Sequence, residues 1–130
     1  MISYKELLHG HNIAEVPMVH QQNLQDLLAK INTVRSAWNK PMIVTSGYRS
    51  MQDQIRIYSK KGQVSHIPMK SAHLKGCAVD IYDPDGNLQK WLKANPGILE
   101  AAGLWCEDGT TNWVHFQTYA PKSGKRWFLP

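Results

Sequence analysis

Residues 71–81 read Ser-Ala-His-Leu-Lys-Gly-Cys-Ala-Val-Asp-Ile, and this stretch decides the fold of the 130-residue chain. The alternation from Ala78 to Tyr82 predicts a strand. His73 lies on the loop before this strand, and Asp80 lies within it. Gly76 allows a tight turn between the two residues. Because a rigid strand holds a side chain in a fixed place, Asp80 is a candidate metal ligand, and His73, seven residues earlier on the loop, is a second candidate.

A second imidazole lies on a later strand. The run Trp113-Val114-His115-Phe116-Gln117 predicts that strand and places His115 within it. Two imidazoles and one carboxylate suit Zn²⁺ and leave a fourth position open for water. Spacing alone leaves two interpretations open, because a histidine on a strand is more often a core or surface residue than a ligand.

Length and composition limit the class of protein and the number of domains. Hydrophobic residues make up 42% of the chain and charged residues 19%, which excludes intrinsic disorder. A chain of 130 residues has the size of one domain, and we expect a single domain over residues 1–130. No apolar run approaches the roughly 18–20 residues of a membrane span. The opening Met1–Glu6 lacks the layout of a signal peptide, so we expect synthesis in the cytoplasm.

The charge balance favours anionic partners. Fifteen Lys and Arg against ten Asp and Glu give a formal charge of +5. The basic residues are scattered and form no stripe with interleaved aromatic side chains, so nucleic-acid binding is not expected. Cys77 and Cys106 are too few for a disulfide framework, and we expect buried free thiols.

Helices are predicted mainly before the strands. Ser3 and Glu6 form a capping box that starts a short helix. Apolar residues at helical spacing predict an amphipathic helix from Asn23 to Trp38. Ser50 predicts the start of another helix, which ends at Gly62.

A long polar connection over residues 63–71 follows that helix. The remaining predicted elements are strands at 42–45 and 104–106 and short helices at 88–94 and 98–102. This order predicts an α+β domain in which helices flank a small antiparallel sheet.

The residues around the candidate ligands resemble a known family. Residues 71–81 match an SxHxxGxAxD signature, Trp113-Val114-His115 matches a later WxH-type element, and Ser46–Ser50 (SGYRS) resembles the element that precedes both. Over roughly residues 20–130 the chain resembles the zinc D-alanyl-D-alanine carboxypeptidase-like peptidases of the LAS group, which share the hedgehog/DD-peptidase fold. Its closing stretch, residues 117–130, resembles the ends of small phage-borne members.

The resemblance implies a zinc metallopeptidase that hydrolyses peptide bonds in bacterial peptidoglycan stem peptides. Both D-Ala-D-Ala carboxypeptidase and L-Ala-D-Glu endopeptidase activities fit these motifs. His73, Asp80 and His115 would be the metal ligands. We expect a monomeric phage or prophage lysis enzyme that acts on the cell wall after release, with peptidoglycan as its partner.

The resemblance also suggests roles for residues around the metal. Arg49 is expected to hold a substrate carboxylate or the oxyanion through its planar guanidinium. Gln54, Ser71 and Trp113 are candidate substrate contacts. For Gln54 and Ser71 a structural role, as a helix-face amide and a loop cap, is an open alternative.

The general base is where this sequence departs from the family. The acidic residue that usually precedes the last histidine ligand by three positions is replaced by Asn112, whose amide cannot accept a proton. Glu107 is the candidate catalytic base, and His66 is a more distant substitute. If neither reaches the metal, the alternative is a non-catalytic zinc-binding module that binds cell-wall peptide or forms part of a phage particle.

Overall fold

The computed structural model describes residues 1–63, 67–68 and 70–129, where helices precede most of the strands. The helices are α1 (Tyr4–Leu8), α2 (Met18–Trp38), α3 (Met51–Lys60), α4 (Asn87–Ala94) and α5 (Gly97–Ala102). The strands are β1 (Val44–Ser46), β2 (Ala78–Asp83), β3 (Trp105–Glu107), β4 (Asn112–Gln117) and β5 (Trp127–Phe128). Single 3-10 turns cover Ile13–Glu15 and Ala72–Lys75. The predicted α+β class is confirmed, and none of the described helices is both long and apolar enough to cross a membrane.

The strands form one sheet in the order β1-β2-β4-β3-β5. β2 pairs antiparallel with β1 and β4, and β4 pairs antiparallel with β3. The prediction of an antiparallel sheet is wrong at one edge, where β5 runs parallel to β3 with Trp127 opposite Cys106. After β4 the chain crosses β3 and adds β5 at the free edge of β3. β5 therefore runs opposite to β4 and in the same direction as β3.

Helix α2 supplies much of the helical part of the core. Its buried residues recur at helical spacing and are Leu24, Leu27, Ile31 and Val34. They belong to the same hydrophobic cluster as Val79 and Ile81 of β2 and Val114 and Phe116 of β4. The helix begins at Met18, five residues before the predicted start at Asn23. Met18 and Val19 are exposed, so the first turn of α2 lacks the apolar residues at helical spacing that predicted the rest of the helix.

Ser50 caps the start of α3 and directly follows Arg49, as the sequence predicts. The Ser50 hydroxyl accepts a hydrogen bond from the Asp53 amide at 3.1 Å, and the Ser50 amide donates to the Asp53 carboxylate at 3.1 Å. His11 and Arg56 also contact that carboxylate. Partial burial acts to raise the pKa of Asp53, but these hydrogen bonds outweigh burial and lower the pKa to about 2. The folded state therefore favours the ionised carboxylate.

Replacing Asp53 with Asn should make stability less dependent on acid pH. The pKa of Asp53 in the folded state, about 2, lies below its reference value of 3.8, so its contribution is present above pH 4 and is lost as the pH falls toward 2. We expect D53N to be less stable at pH 7 by about 2 kcal/mol, with the difference closing in acid. Urea unfolding across this pH range measures the effect.

The matched control is Asp26→Asn. Asp26 forms an exposed i,i+4 pair with Lys30, so its removal should change stability little at any pH. A stability loss in D53N that stays constant between pH 7 and pH 2 would contradict the assigned pKa.

Candidate active site

Strands β2 and β4 bring Asp80 and His115 side by side. The two residues are direct partners in the antiparallel ladder. The residues that flank them on the strands are buried in the hydrophobic core: Val79, Ile81, Val114 and Phe116. Because side chains alternate along a strand, Asp80 and His115 lie together on the other face of the sheet. The Asp80 Oδ1 atom is 2.9 Å from His115 Nδ1.

The 3-10 turn before β2 supplies the third side chain. The His73 amide donates to the Ser71 hydroxyl at 3.3 Å, which caps this turn. Gly76 ends the turn at φ +74°, and a Cβ there would lie 2.8 Å from the carbonyl oxygen of His20. The tight turn predicted at Gly76 is therefore confirmed. It places His73 Nε2 3.3 Å from Asp80 Oδ2.

The three buried side chains fit a zinc ion. Their donor atoms all lie within 4.8 Å of one another. His73 Nδ1 lies 2.9 Å from the Gly47 carbonyl oxygen, and His115 Nε2 lies 2.9 Å from Gln117 Oε1, so each ring turns its other nitrogen toward Asp80. The spacings of 2.9 and 3.3 Å between donor atoms approach the roughly 3.4 Å expected around a tetrahedral Zn²⁺.

The cluster holds a negative charge between two imidazoles. Burial acts to raise the pKa of Asp80, but hydrogen bonds from His115 and His73 and their positive charge outweigh it and lower the pKa. Burial acts to lower the pKa of His115, but its hydrogen bond to Asp80 and the charge of that carboxylate outweigh burial and raise the pKa. A carboxylate held ionised in a buried site is a suitable ligand for a divalent cation.

Helix α1 supports this cluster through the loop that follows β1. The Tyr48 amide donates to the Leu7 carbonyl at 2.8 Å. A Cβ on Gly47 would lie 2.3 Å from the same oxygen, so only glycine permits the approach. The Gly47 carbonyl in turn orients the His73 ring. Gly47 belongs to the SGYRS element, but its role in orienting His73 was not predicted from the sequence.

Gly47→Ala should weaken zinc binding. The added methyl group must displace the loop from Leu7 and move the carbonyl that orients His73. Loss of such a hydrogen bond to a ligand typically lowers metal affinity about 10–100-fold. Competition with a chromophoric chelator measures the affinity, and thermal unfolding measures the accompanying loss of stability.

Gly97→Ala is the matched control, because a Cβ at Gly97 meets no atom within 4 Å. This variant should bind zinc as the unaltered chain does. If Gly47→Ala also retained full zinc affinity, the contact with Leu7 would not support the metal centre.

The Arg49 guanidinium is fixed beside the cluster. Its Nε donates to the Ser46 hydroxyl at 3.1 Å, one terminal nitrogen donates to Gln54 Oε1 at 3.3 Å, and the other lies 3.9 Å from Asp80 Oδ2. Gln54 is fully buried and donates to the Pro68 carbonyl at 2.9 Å. Gln54 therefore has a structural role, because its amide connects the Arg49 guanidinium to the Pro68 carbonyl, and a contact between Gln54 and substrate stays a prediction.

An open cavity of about 300 Å³ lies beside the three candidate ligands. Its other lining residues are Arg49, Tyr58, Lys61, Ser71, Glu107 and Trp113. Four of these six were candidates from the sequence, whereas Tyr58 and Lys61 were missed. Both follow Gln54 at helical spacing, by four and seven residues, so the helix period was the available signal.

Glu107 and Asp80 are the carboxylates that line this cavity in the described part of the chain. Asn112 is exposed and begins β4 with φ +75°, a backbone conformation that asparagine adopts more readily than most residues. It is not part of the described cavity wall. His66, the more distant candidate base, lies outside the described residues.

Catalytic metal sites of hydrolases typically have three protein ligands and an open position, and the three buried candidate ligands beside an open cavity fit that class. The model of the family described as Peptidase M15 matches residues 1–117, and this chain belongs to that family. The chain is similar to the crystal structure of Serratia marcescens L-Ala D-Glu endopeptidase ChiX, with a TM-score of 0.55 and 21% identity. That similarity covers 88% of this chain and 98% of the other. The comparison with curated proteins gives no match.

Family membership confirms the resemblance to zinc peptidases, and the structural similarity confirms the expected hedgehog/DD-peptidase-like fold. The chain is thus a peptidase by family, with His73, Asp80 and His115 placed where a metal ion would bind. The expected roles of the individual site residues stay predictions.

Proposed function

We propose that this chain is a zinc-dependent peptidase that hydrolyses peptide bonds in bacterial peptidoglycan stem peptides. One observation carries the proposal: a buried cluster of His73, Asp80 and His115 beside an open cavity, in a chain of the peptidase M15 family. The structurally similar ChiX is an L-Ala D-Glu endopeptidase, so the L-Ala-D-Glu bond is the first to test. Release of the terminal D-Ala is the second.

The chain's own residues supply most of the arrangement that hydrolysis requires. Zn²⁺ held by the three ligands would act as a Lewis acid and make water nucleophilic near neutral pH. Arg49 would bind a substrate carboxylate or the developing oxyanion. Since Ser46 and Gln54 already fix its guanidinium, little side-chain entropy would be lost when substrate binds.

The walls of the cavity would orient the peptide. Trp113 is partly exposed and Lys61 is exposed, and both line the cavity. Lys61 also places its ammonium 5.2 Å from the centre of the Tyr58 ring. Lys61 and Arg49 give the cavity a cationic side that suits the free carboxylates of wall stem peptides.

Glu107 is the proposed general base. Its carboxylate lines the same cavity as the three ligands and would accept a proton from the attacking water. We expect Glu107→Gln to lower kcat/KM about 10²–10⁴-fold while zinc content stays at one equivalent, because the amide cannot accept that proton. Steady-state kinetics on a purified stem peptide, with metal analysis, measures both quantities.

Asp108→Asn is the matched control for that substitution. Asp108 neighbours Glu107 but is exposed and pairs with Lys93 at 2.8 Å. Its loss should leave kcat/KM unchanged. Full activity in Glu107→Gln would exclude Glu107 as the base.

A second candidate function is a zinc-binding module that binds wall peptide without cleaving it. The observation in its favour is Asn112, which replaces the acidic residue expected three positions before His115. In this interpretation the cavity binds a peptide but provides no group that accepts a proton from water.

Mass spectrometry of purified peptidoglycan distinguishes the two functions. We expect the zinc-loaded chain to release new fragments, and a chelator or the His115→Ala substitution to abolish them. Cleavage at L-Ala-D-Glu leaves L-Ala on the glycan strand, whereas carboxypeptidase activity releases free D-Ala. The exposed His9 provides a matched control, and His9→Asn should remain active. Intact peptidoglycan with one equivalent of bound zinc would favour the binding module.

The biological setting proposed for this activity is the cell wall. The formal charge of +5 supports association with an anionic wall polymer. Release from the cytoplasm, a role in phage or prophage lysis and a monomeric state stay predictions.

A further inference from the structure

Gln117 ends β4 two residues after His115 and faces the same side of the sheet. The side chain is buried, with 6% of the residue exposed. Its Oε1 atom lies 2.9 Å from His115 Nε2, and its Nε2 donates to the Tyr119 carbonyl at 3.0 Å. The second contact fixes the orientation of the amide, because only the NH₂ group can donate to a carbonyl. The amide oxygen must therefore face His115.

This orientation determines which His115 nitrogen carries the proton. An amide oxygen only accepts hydrogen bonds, so His115 Nε2 must be the donor. In the metal-free chain His115 Nδ1 also donates, to the Asp80 carboxylate. A metal ion would displace that proton, so the remaining N–H group would be on Nε2 and Nδ1 would offer its lone pair. Nδ1 lies 2.9 Å from Asp80 Oδ1, and the ligand atoms of His73, Asp80 and His115 lie within 4.8 Å of one another.

We propose that Gln117 is a positioning residue of the metal centre, which holds His115 in the tautomer that presents Nδ1 to the metal ion. The inference rests on the metal site of the proposed function and adds the group that orients one ligand. His73 obtains its orientation from the Gly47 backbone carbonyl, whereas His115 depends on a side chain. Gln117 can therefore be tested by substitution.

A glutamine suits this position better than a carboxylate would on electrostatic grounds. Asp80 contacts His115, and Glu107 also interacts with it electrostatically. The neutral amide of Gln117 accepts a hydrogen bond from His115 Nε2 without adding a further negative charge to the buried cluster.

Two substitutions separate orientation of the ring from packing. Gln117→Leu retains a buried side chain but removes the acceptor, and it should lower zinc affinity about 10–100-fold. Gln117→Glu retains the acceptor for His115 but loses the donor to Tyr119 and adds a negative charge, and it should lose clearly less zinc affinity than Gln117→Leu. Chelator competition on the full chain measures both affinities without any assay of activity.

Proton–nitrogen NMR of the zinc-loaded chain provides a second readout. We expect a protonated His115 Nε2 in the unaltered chain and in Gln117→Glu. In Gln117→Leu we expect loss of this defined tautomer. Val114→Ala controls for destabilisation of β4, because Val114 is fully buried on the opposite face. It should lower the unfolding temperature and leave zinc affinity unchanged.

Unchanged zinc affinity and an unchanged His115 tautomer in Gln117→Leu would overturn the inference. An equal loss of affinity in Gln117→Leu and Gln117→Glu would also overturn it, because packing alone would then explain both. Failure of the unaltered chain to bind zinc would overturn the proposed function as well. Tight zinc binding without peptide cleavage would overturn the proposed activity and leave the role of Gln117 intact.

Discussion

The antiparallel pairing of β2 with β4 is the constraint on which the rest of this structure depends. It places Asp80 opposite His115 and turns the flanking apolar residues of both strands into the core. Because side chains alternate along a strand, a shift of one residue in the register would bury Asp80 among apolar side chains and expose the core residues. Burial of the core therefore fixes the register, and the register fixes the metal site. Stability and function depend on the same strand pairing.

The orientation of the candidate ligands comes from groups outside the motif. His73 takes its orientation from the Gly47 carbonyl, and the loop that carries Gly47 lies against Leu7 of α1. His115 contacts Gln117, whose amide is held by the carbonyl of Tyr119. Each ring thus forms a hydrogen bond with a group that is itself fixed. Such support matters because a metal site requires its ligands to hold their places within a fraction of an ångström.

The charges of the cavity are arranged around Asp80. Arg49 and His73 lie near Oδ2 of this carboxylate, and His115 contacts Oδ1. The two histidines stabilise the ionised form in spite of its burial, which lowers the pKa of Asp80. Gln54 shows why the arrangement is rigid, since its buried amide connects Arg49 to the Pro68 carbonyl. The Arg49 guanidinium of the cavity is therefore held in place before any substrate binds.

The sequence by itself determined those features that depend on residues close together along the chain. Caps at Ser3 and Ser50, the apolar period of α2 and the turn at Gly76 follow from local chemistry, and the structure confirms each of them. The motif also singled out His73, Asp80 and His115, which lie together in the structure, and their binding of a metal ion stays a prediction. Only the tertiary structure decided the parallel pairing of β5, the burial of Gln54 and the contacts that orient the two histidines. These features join residues distant in the chain, such as Leu7 with Gly47 and Gln54 with Pro68, or follow from which way a side chain turns, as at Gln117. A single sequence carries no local signal for them, because their energy arises only when the separate segments pack together.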